Sequence, residues 1–184
     1  MRVEQTELPG VLLLTPRVFR DERGFFLESY NAREITAAGL PTNFVQDNHS
    51  RSKAGVVRGF HYQLRHPQGK LIQVARGAIF DVVLDIRTGS PTFGKSVAVD
   101  LDDEQHRMVW IPPGFAHAFC SLVDDTDVVY KCTDFYAPDD DRGVLWNDPD
   151  LSIPWPAIAR TVSAKDASYQ RLHAPRTDLP RYQP

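Results

Sequence analysis

The chain has 184 residues, 42% of them hydrophobic and 24% charged, with a formal net charge of −3. This is ordinary globular usage, which excludes disordered, collagen-like and coiled-coil classes, and the acidic balance argues against a general nucleic-acid binder. No apolar run approaches the roughly 20 residues a bilayer span requires, and Cys120 and Cys132 form neither a disulfide framework nor a CxxC pair. Both cysteines are therefore read as buried thiols in a reducing cytoplasm.

The earliest apolar run, Val11 to Leu14, follows Glu4, Glu7 and Pro9. It is too short and too acidic for a signal peptide. A first strand is expected over Gly24 to Tyr30. A short helix follows over Asn31 to Ala38, with Asn31 as N-cap and Gly39 just past its end. Further strands are expected over Val56–Leu64, Leu71–Ala75, Ala78–Ile86, Ser96–Leu101, Arg107–Ile111, Ala118–Leu122 and Asp127–Asp134. Turn signals separate them, among them Arg76-Gly77, Thr88-Gly89-Ser90-Pro91 and Pro112-Pro113-Gly114. A second short helix is expected over Ser163–Tyr169, where Ser163 and Asp166 have capping-box spacing. The spacing predicts one all-β domain over residues 1–184, a sandwich or jelly roll with a few short helices. Residues 170–184, rich in proline, read as a surface-hugging or frayed tail.

Strand alternation assigns faces. In Ala78–Ile86 one face is wholly apolar, while the other carries Ile79, Asp81, Val83 and Asp85. Tyr130, Cys132, Asp134 and Tyr136 share a face. Gly59 inside Val56–Leu64 suggests a bulge that would bring Arg58 and His61 to one side.

Two of the six histidines stand in or beside strands among aromatic residues, His61 and His117. A metal site of the cupin kind would want a second histidine where Gln63 stands, although Pro112, Gly114 and His117 have the spacing of the second cupin segment. Two histidines and a neutral amide make a poor ligand set, so no metal is expected. Metal-free acid–base chemistry has all its parts. A neutral histidine is a base near pH 7, a tyrosine delivers a proton, and a lysine ammonium stabilises an enolate oxygen. His61, Tyr130 and Lys70 supply them, although a surface lysine and a core tyrosine are the ordinary explanations of the last two.

Eight segments carry a resemblance. They are Phe44–Ser50, Val57–Gln63, Gln68-Gly69-Lys70, Phe80–Arg87, Ser90–Gly94, Pro113–His117, Val129-Tyr130-Lys131 and Ser163–Asp166. In order and spacing they resemble the dTDP-4-dehydrorhamnose 3,5-epimerase family, from about residue 2 to about residue 170. The resemblance implies a cupin-type jelly-roll homodimer without cofactor or metal. It implies conversion of dTDP-4-dehydro-6-deoxy-D-glucose to dTDP-4-dehydro-L-rhamnose in the cytoplasm, with neither nucleic acid nor membrane as partner. It makes His61 the base, Asp166 its carboxylate partner, Tyr130 the acid on the far face and Lys70 the stabiliser of the enolate. Arg58 and Arg23 match diphosphate contacts and Tyr136 the aromatic that stacks on thymine. Glu28, Gln46, Asp47, Asn48, His117 and Lys165 match further ligand contacts, as does Asp141, which stands where the family often has glutamate. The segment from Arg23 to Glu28 is expected to cross to the partner subunit. Phe60 replaces a more usual leucine and, by alternation, points away from His61. A single-carbon epimerase of another dTDP-4-keto sugar, a metal-dependent cupin enzyme and a non-catalytic sugar-nucleotide binder are the alternatives.

Overall fold

The chain is described by a computed structural model covering residues 1–183. Residue 184, the end of the expected tail, lies outside the described residues. The N-terminal strands are β1 (Arg2–Gln5), β2 (Leu12–Thr15), β3 (Val18–Asp21) and β4 (Gly24–Leu27), followed by the helix α1 (Ala32–Ala37). Next come β5 (Gln46–Ser52), β6 (Val57–Gln63), β7 (Lys70–Arg76), β8 (Ala78–Asp85) and β9 (Ser96–Asp102). The last strands are β10 (Met108–Ile111), β11 (Phe115–Ser121), β12 (Thr126–Cys132) and β13 (Asp141–Gly143), and the helix α2 (Ala164–Ala167) follows.

Two antiparallel sheets face each other. One has the order β1-β2-β10-β7-β12-β5 and the other β13-β6-β11-β8-β9, while β3 and β4 form a separate hairpin. Between the sheets, Ile72, Val74, Val109 and Val128 pack against Ile79, Val83, Leu101, Phe115 and Phe119. Each such aliphatic side chain removed from water contributes about 1.5–3 kcal/mol. This is the expected all-β sandwich.

Strand β8 shows how its two faces divide. Its mixed face turns inward, where Ile79 and Val83 join the inter-sheet core. Its wholly apolar face turns outward, yet Val82 and Leu84 are fully buried there beneath Trp155, Leu151 and Leu172. The C-terminal segment continues across the outside of the same sheet. Thr88 pairs with Arg181, and Arg176 donates to the Tyr62 hydroxyl and to the Gly143 carbonyl.

Helix α1 begins at Asn31, whose side chain accepts from the Arg33 N–H, and Gly39 beyond its end has φ +76°. Its Ile35 covers Leu12, Leu14 and Met108 on the outer face of the six-stranded sheet. Five strands differ from expectation by their presence: β1, β2, β3, β5 and β13. Strand β5, QDNHSRS, has no β-propensity pattern. It forms because it pairs residue by residue with β12, from Gln46 opposite Cys132 to Ser52 opposite Thr126. Strand β12 ends at Cys132, two residues before the expected end, so Tyr136 reaches its place on a loop and not on the face of Tyr130. Strand β11 starts at Phe115, which puts His117 within the strand.

Candidate active site

Strand β6 carries one extra residue against β11. His61 pairs with His117, but Arg58 pairs with Phe119, so Gly59 and Phe60 on one strand stand opposite the single Ala118 on the other. Gly59 makes this possible. Its φ is +114°, and a Cβ there would sit 2.4 Å from the His117 carbonyl oxygen and 2.7 Å from Ala118 Cα. The bulge turns Arg58 and His61 into the same cavity, as the glycine suggested. Phe60 points away and is fully buried, its ring 6.0 Å from that of Trp155.

The cavity has a volume of about 530 Å³. The five-stranded sheet supplies Arg58, His61, His117 and Phe119. The six-stranded sheet supplies Ser50, Lys70 and Tyr130. Residues Thr161 to Asp166, at the start of α2, complete the lining with Ser163 and Lys165 among them.

Ser163 caps α2 by accepting from the Asp166 N–H at 3.0 Å, which fulfils half of the capping box. The Asp166 carboxylate does not return to the cap. One oxygen accepts from His61 Nε2 at 2.8 Å and the other from the Gly59 N–H at 3.2 Å. Burial acts to raise the Asp166 pKa, but the bonds from His61, Gly59 and Ser163 prevail and hold it below the usual carboxylate value. An ionised carboxylate only accepts, so Nε2 of neutral His61 carries the hydrogen and Nδ1 keeps a free lone pair.

A second histidine–carboxylate pair stands beside it. His117 Nε2 meets Asp81 Oδ2 at 2.7 Å, and Asp81 is fully buried with its other oxygen unpartnered. Asp81 was not among the expected site residues. Its signal was a carboxylate on the inward face of β8, which only the topology identifies as inward. Ser50 was missed as well: its buried hydroxyl has no partner and lines the cavity. The strand that carries it had no pattern to announce it.

Opposite these pairs, burial pushes the Tyr130 phenol up to about 12, so it is protonated at neutral pH. Burial also draws the Lys70 ammonium below its ordinary value, an effect that the nearby Cys132, Asp141 and Asp81 oppose. Arg58 donates through Nε to Ser52 Oγ at 3.1 Å, which steadies the guanidinium at the cavity wall.

Gln46 and Asn48 are hydrogen-bonded to each other on the inward side of β5, and Asn48 also meets the Cys132 thiol. Gln46 accepts from the Tyr136 N–H at 2.8 Å. The half-exposed Tyr136 donates its hydroxyl to Asp141 at 2.8 Å, and Asp141 also pairs with Lys165. Gln46, Asn48, Tyr136 and Asp141 do not line the cavity itself and are tied to it through Lys165, and three further expected contacts, Asp47, Arg23 and Glu28, have their partners elsewhere. Asp47 faces the other side of β5 and pairs with Lys131 at 3.0 Å. Arg23 sits at the tip of the β3–β4 hairpin, paired with Asp21, and Glu28 accepts from Asn31. Among the described residues, no three His, Cys, Asp or Glu side chains gather as a metal-ligand group, and no helix is long and apolar enough to cross a membrane.

A sequence model of the dTDP-4-dehydrorhamnose 3,5-epimerase family matches residues 5–174. A dTDP-4-dehydrorhamnose 3,5-epimerase of Pseudomonas aeruginosa is 53% identical over 168 residues, covering 90% of this chain and 93% of the relative. The crystal structure of a Legionella pneumophila dTDP-6-deoxy-D-glucose-3,5-epimerase in complex with dTDP-4-keto-L-rhamnose superposes with a TM-score of 0.96. It is 45% identical and covers 100% of this chain and 99% of its own. A 3′-monoepimerase of Streptomyces bikiniensis in complex with dTDP-quinovose is more distant, with 35% identity and a TM-score of 0.86 over 91% of this chain and 86% of its own. Fold and sequence agree, and the chain belongs to the dTDP-4-dehydrorhamnose 3,5-epimerase family.

Proposed function

We propose that the chain converts dTDP-4-dehydro-6-deoxy-D-glucose to dTDP-4-dehydro-L-rhamnose by inverting C3 and C5. Both carbons flank the C4 ketone, so loss of either proton gives an enolate. The observation that carries this reading is that His61 and Tyr130 enter one cavity from opposite sheets. A base on one wall and an acid on the other are what inversion needs.

In this reading His61 Nδ1 takes the proton from carbon, and Asp166 stabilises the imidazolium that forms. The C–H electron pair moves into the ring and negative charge gathers on the C4 oxygen, where the Lys70 ammonium offsets it. Tyr130 then gives its phenolic proton to the opposite face of the same carbon. One proton has left and one has arrived, and solvent returns His61 and Tyr130 to their starting states before the second carbon reacts. Arg58 binds the diphosphate through its guanidinium fork. His117, held by Asp81, contacts the sugar. Gln46, Asn48, Tyr136, Asp141 and Lys165 form the nucleotide rim.

Arg23 and Glu28 act across a homodimer interface, at the partner subunit's site. The β3–β4 hairpin exposes Phe25 and Phe26 at 54% and 67%, and its Arg23 reaches nothing in the cavity of its own chain. These features support a hairpin that crosses to the partner subunit's site. The 184 residues work as one unit in the cytoplasm, with neither cofactor nor metal. The experiment is His61→Ala. It should abolish deuterium exchange into the substrate while dTDP still binds with nearly unchanged Kd, and retained turnover would remove His61 as the base.

A further inference from the structure

We infer that Tyr169 is a positioning residue for the base, its ring seated opposite His61 in a notch left by Gly143. The inference rests on the reading of His61 as that base. Strand β13 pairs with β6 so that Gly143 lies directly across from His61. Side chains at such positions normally touch. Gly143 has none, and the Tyr169 ring occupies the space. A Cβ at residue 143 would fall 2.2 Å from Tyr169 Cε2 and 2.5 Å from its Cζ.

The ring meets the imidazole edge-on, with centroids 6.1 Å apart and planes at 75°, a favoured aromatic geometry. Two features bring it there. Tyr169 lies three residues beyond Asp166, just past the end of α2, and the next residue is tied down where Gln170 accepts from the Leu145 N–H at 3.0 Å. One short segment therefore supplies both the carboxylate that holds His61 Nε2 and the ring that backs the imidazole.

A single hydrogen bond to Asp166 leaves the imidazole free to swing about its Cβ–Cγ bond. The ring contact is the second restraint that fixes its plane, and with it the direction of the Nδ1 lone pair. The Tyr169 hydroxyl is buried, and its polar neighbour is the Lys165 ammonium, which Asp141 already holds. The ring is thus the working part, and phenylalanine should replace it.

The test compares Tyr169→Ala with Tyr169→Phe, reading kcat, KM, the pH dependence of kcat and the Kd for dTDP. A base displaced by about 1 Å costs on the order of a hundredfold. Tyr169→Ala is expected to lower kcat by about 10- to 100-fold, with KM and dTDP affinity little changed and the limb of the pH profile that reports the base moved. Tyr169→Phe should restore both kcat and that limb. A kcat for Tyr169→Ala close to the parent's, or a Tyr169→Phe enzyme as slow as Tyr169→Ala, would overturn the inference.

Gly143→Ala provides an independent arm. Its methyl drives into the ring, so it should slow the parent enzyme but cost nothing further in the Tyr169→Ala background; additive losses would count against the notch. His61→Ala measured alongside separates the two readings. If it is inactive while Tyr169→Ala is normal, only the role of Tyr169 fails. If it turns over, the base assignment itself fails.

Discussion

Asp166→Asn isolates the partnership that, in the proposed mechanism, makes His61 a base. The carboxylate serves two donors, His61 Nε2 at 2.8 Å and the Gly59 N–H at 3.2 Å. An amide has only one oxygen to offer. If that oxygen keeps the Gly59 N–H, the amide nitrogen faces His61 and donates to Nε2. The imidazole then carries its hydrogen on Nδ1, and the lone pair that would take the substrate proton is gone. The variant also removes the negative charge beside the imidazolium that forms during abstraction. Asp166 is only 4% exposed, so solvent screens that pair weakly. At about 4 Å and an effective dielectric near 20 the interaction is about 4 kcal/mol. At about 1.36 kcal/mol per decade this is roughly a thousandfold in rate. We expect kcat to fall about 10³-fold while the Kd for dTDP stays near that of the parent, because Asp166 contacts the base and not the nucleotide. Rates of deuterium incorporation, followed by proton NMR, read the chemical step directly. A kcat within tenfold of the parent's would refute the claim that this carboxylate sets the tautomer.

Four other expectations follow from the same structure. Tyr130→Phe should stop inversion yet leave exchange of the abstracted proton with solvent, since the proposed mechanism assigns abstraction to His61; equal loss of both would count against Tyr130 as the acid. Because burial holds that phenol near 12, activity should show no titration of Tyr130 between pH 6 and 9. Gly59→Ala places a methyl against the His117 carbonyl at a φ of +114° and should cost more than about 1 kcal/mol of stability along with most activity; an enzyme as stable and active as the parent would contradict the bulge. Buried Asp85 accepts from Arg87, Ser90 and Thr92. Burial works to raise its carboxyl, but these bonds prevail and hold it below the ordinary value. Its contribution is therefore complete above about pH 4 and is lost as the pH falls through the folded-state value. Asp85→Asn should destabilise by about 3 kcal/mol at pH 7 in urea unfolding, with a gap that narrows in acid; equal deficits at pH 7 and pH 3 would contradict this.

Much of the fold is legible in strands such as β8 and β12, whose aliphatic runs and bounding turns are local signals. Helix α1 is equally legible because Asn31 and Gly39 mark its ends. Strand β5 is not, because what makes QDNHSRS a strand is its partner β12, some 80 residues away in the chain. The site divides in the same way. The bulge at Gly59 is readable from one glycine in a strand, and it brings Arg58 and His61 together. The joining of His61 to Asp166 spans 105 residues, so no local pattern contains it; similarity to a family suggested it. Asp81 had the right parity on its strand, but parity alone does not say which face is inside. Tyr169 carries no signal at all, since its place depends on a gap left by a glycine on another strand.

The most direct test of the central claim is proton NMR of the purified protein with dTDP-4-dehydro-6-deoxyglucose in D2O. The account predicts deuterium at both C3 and C5 in the parent and at neither carbon in His61→Ala. Exchange confined to one carbon, or none with nucleotide binding intact, would contradict it.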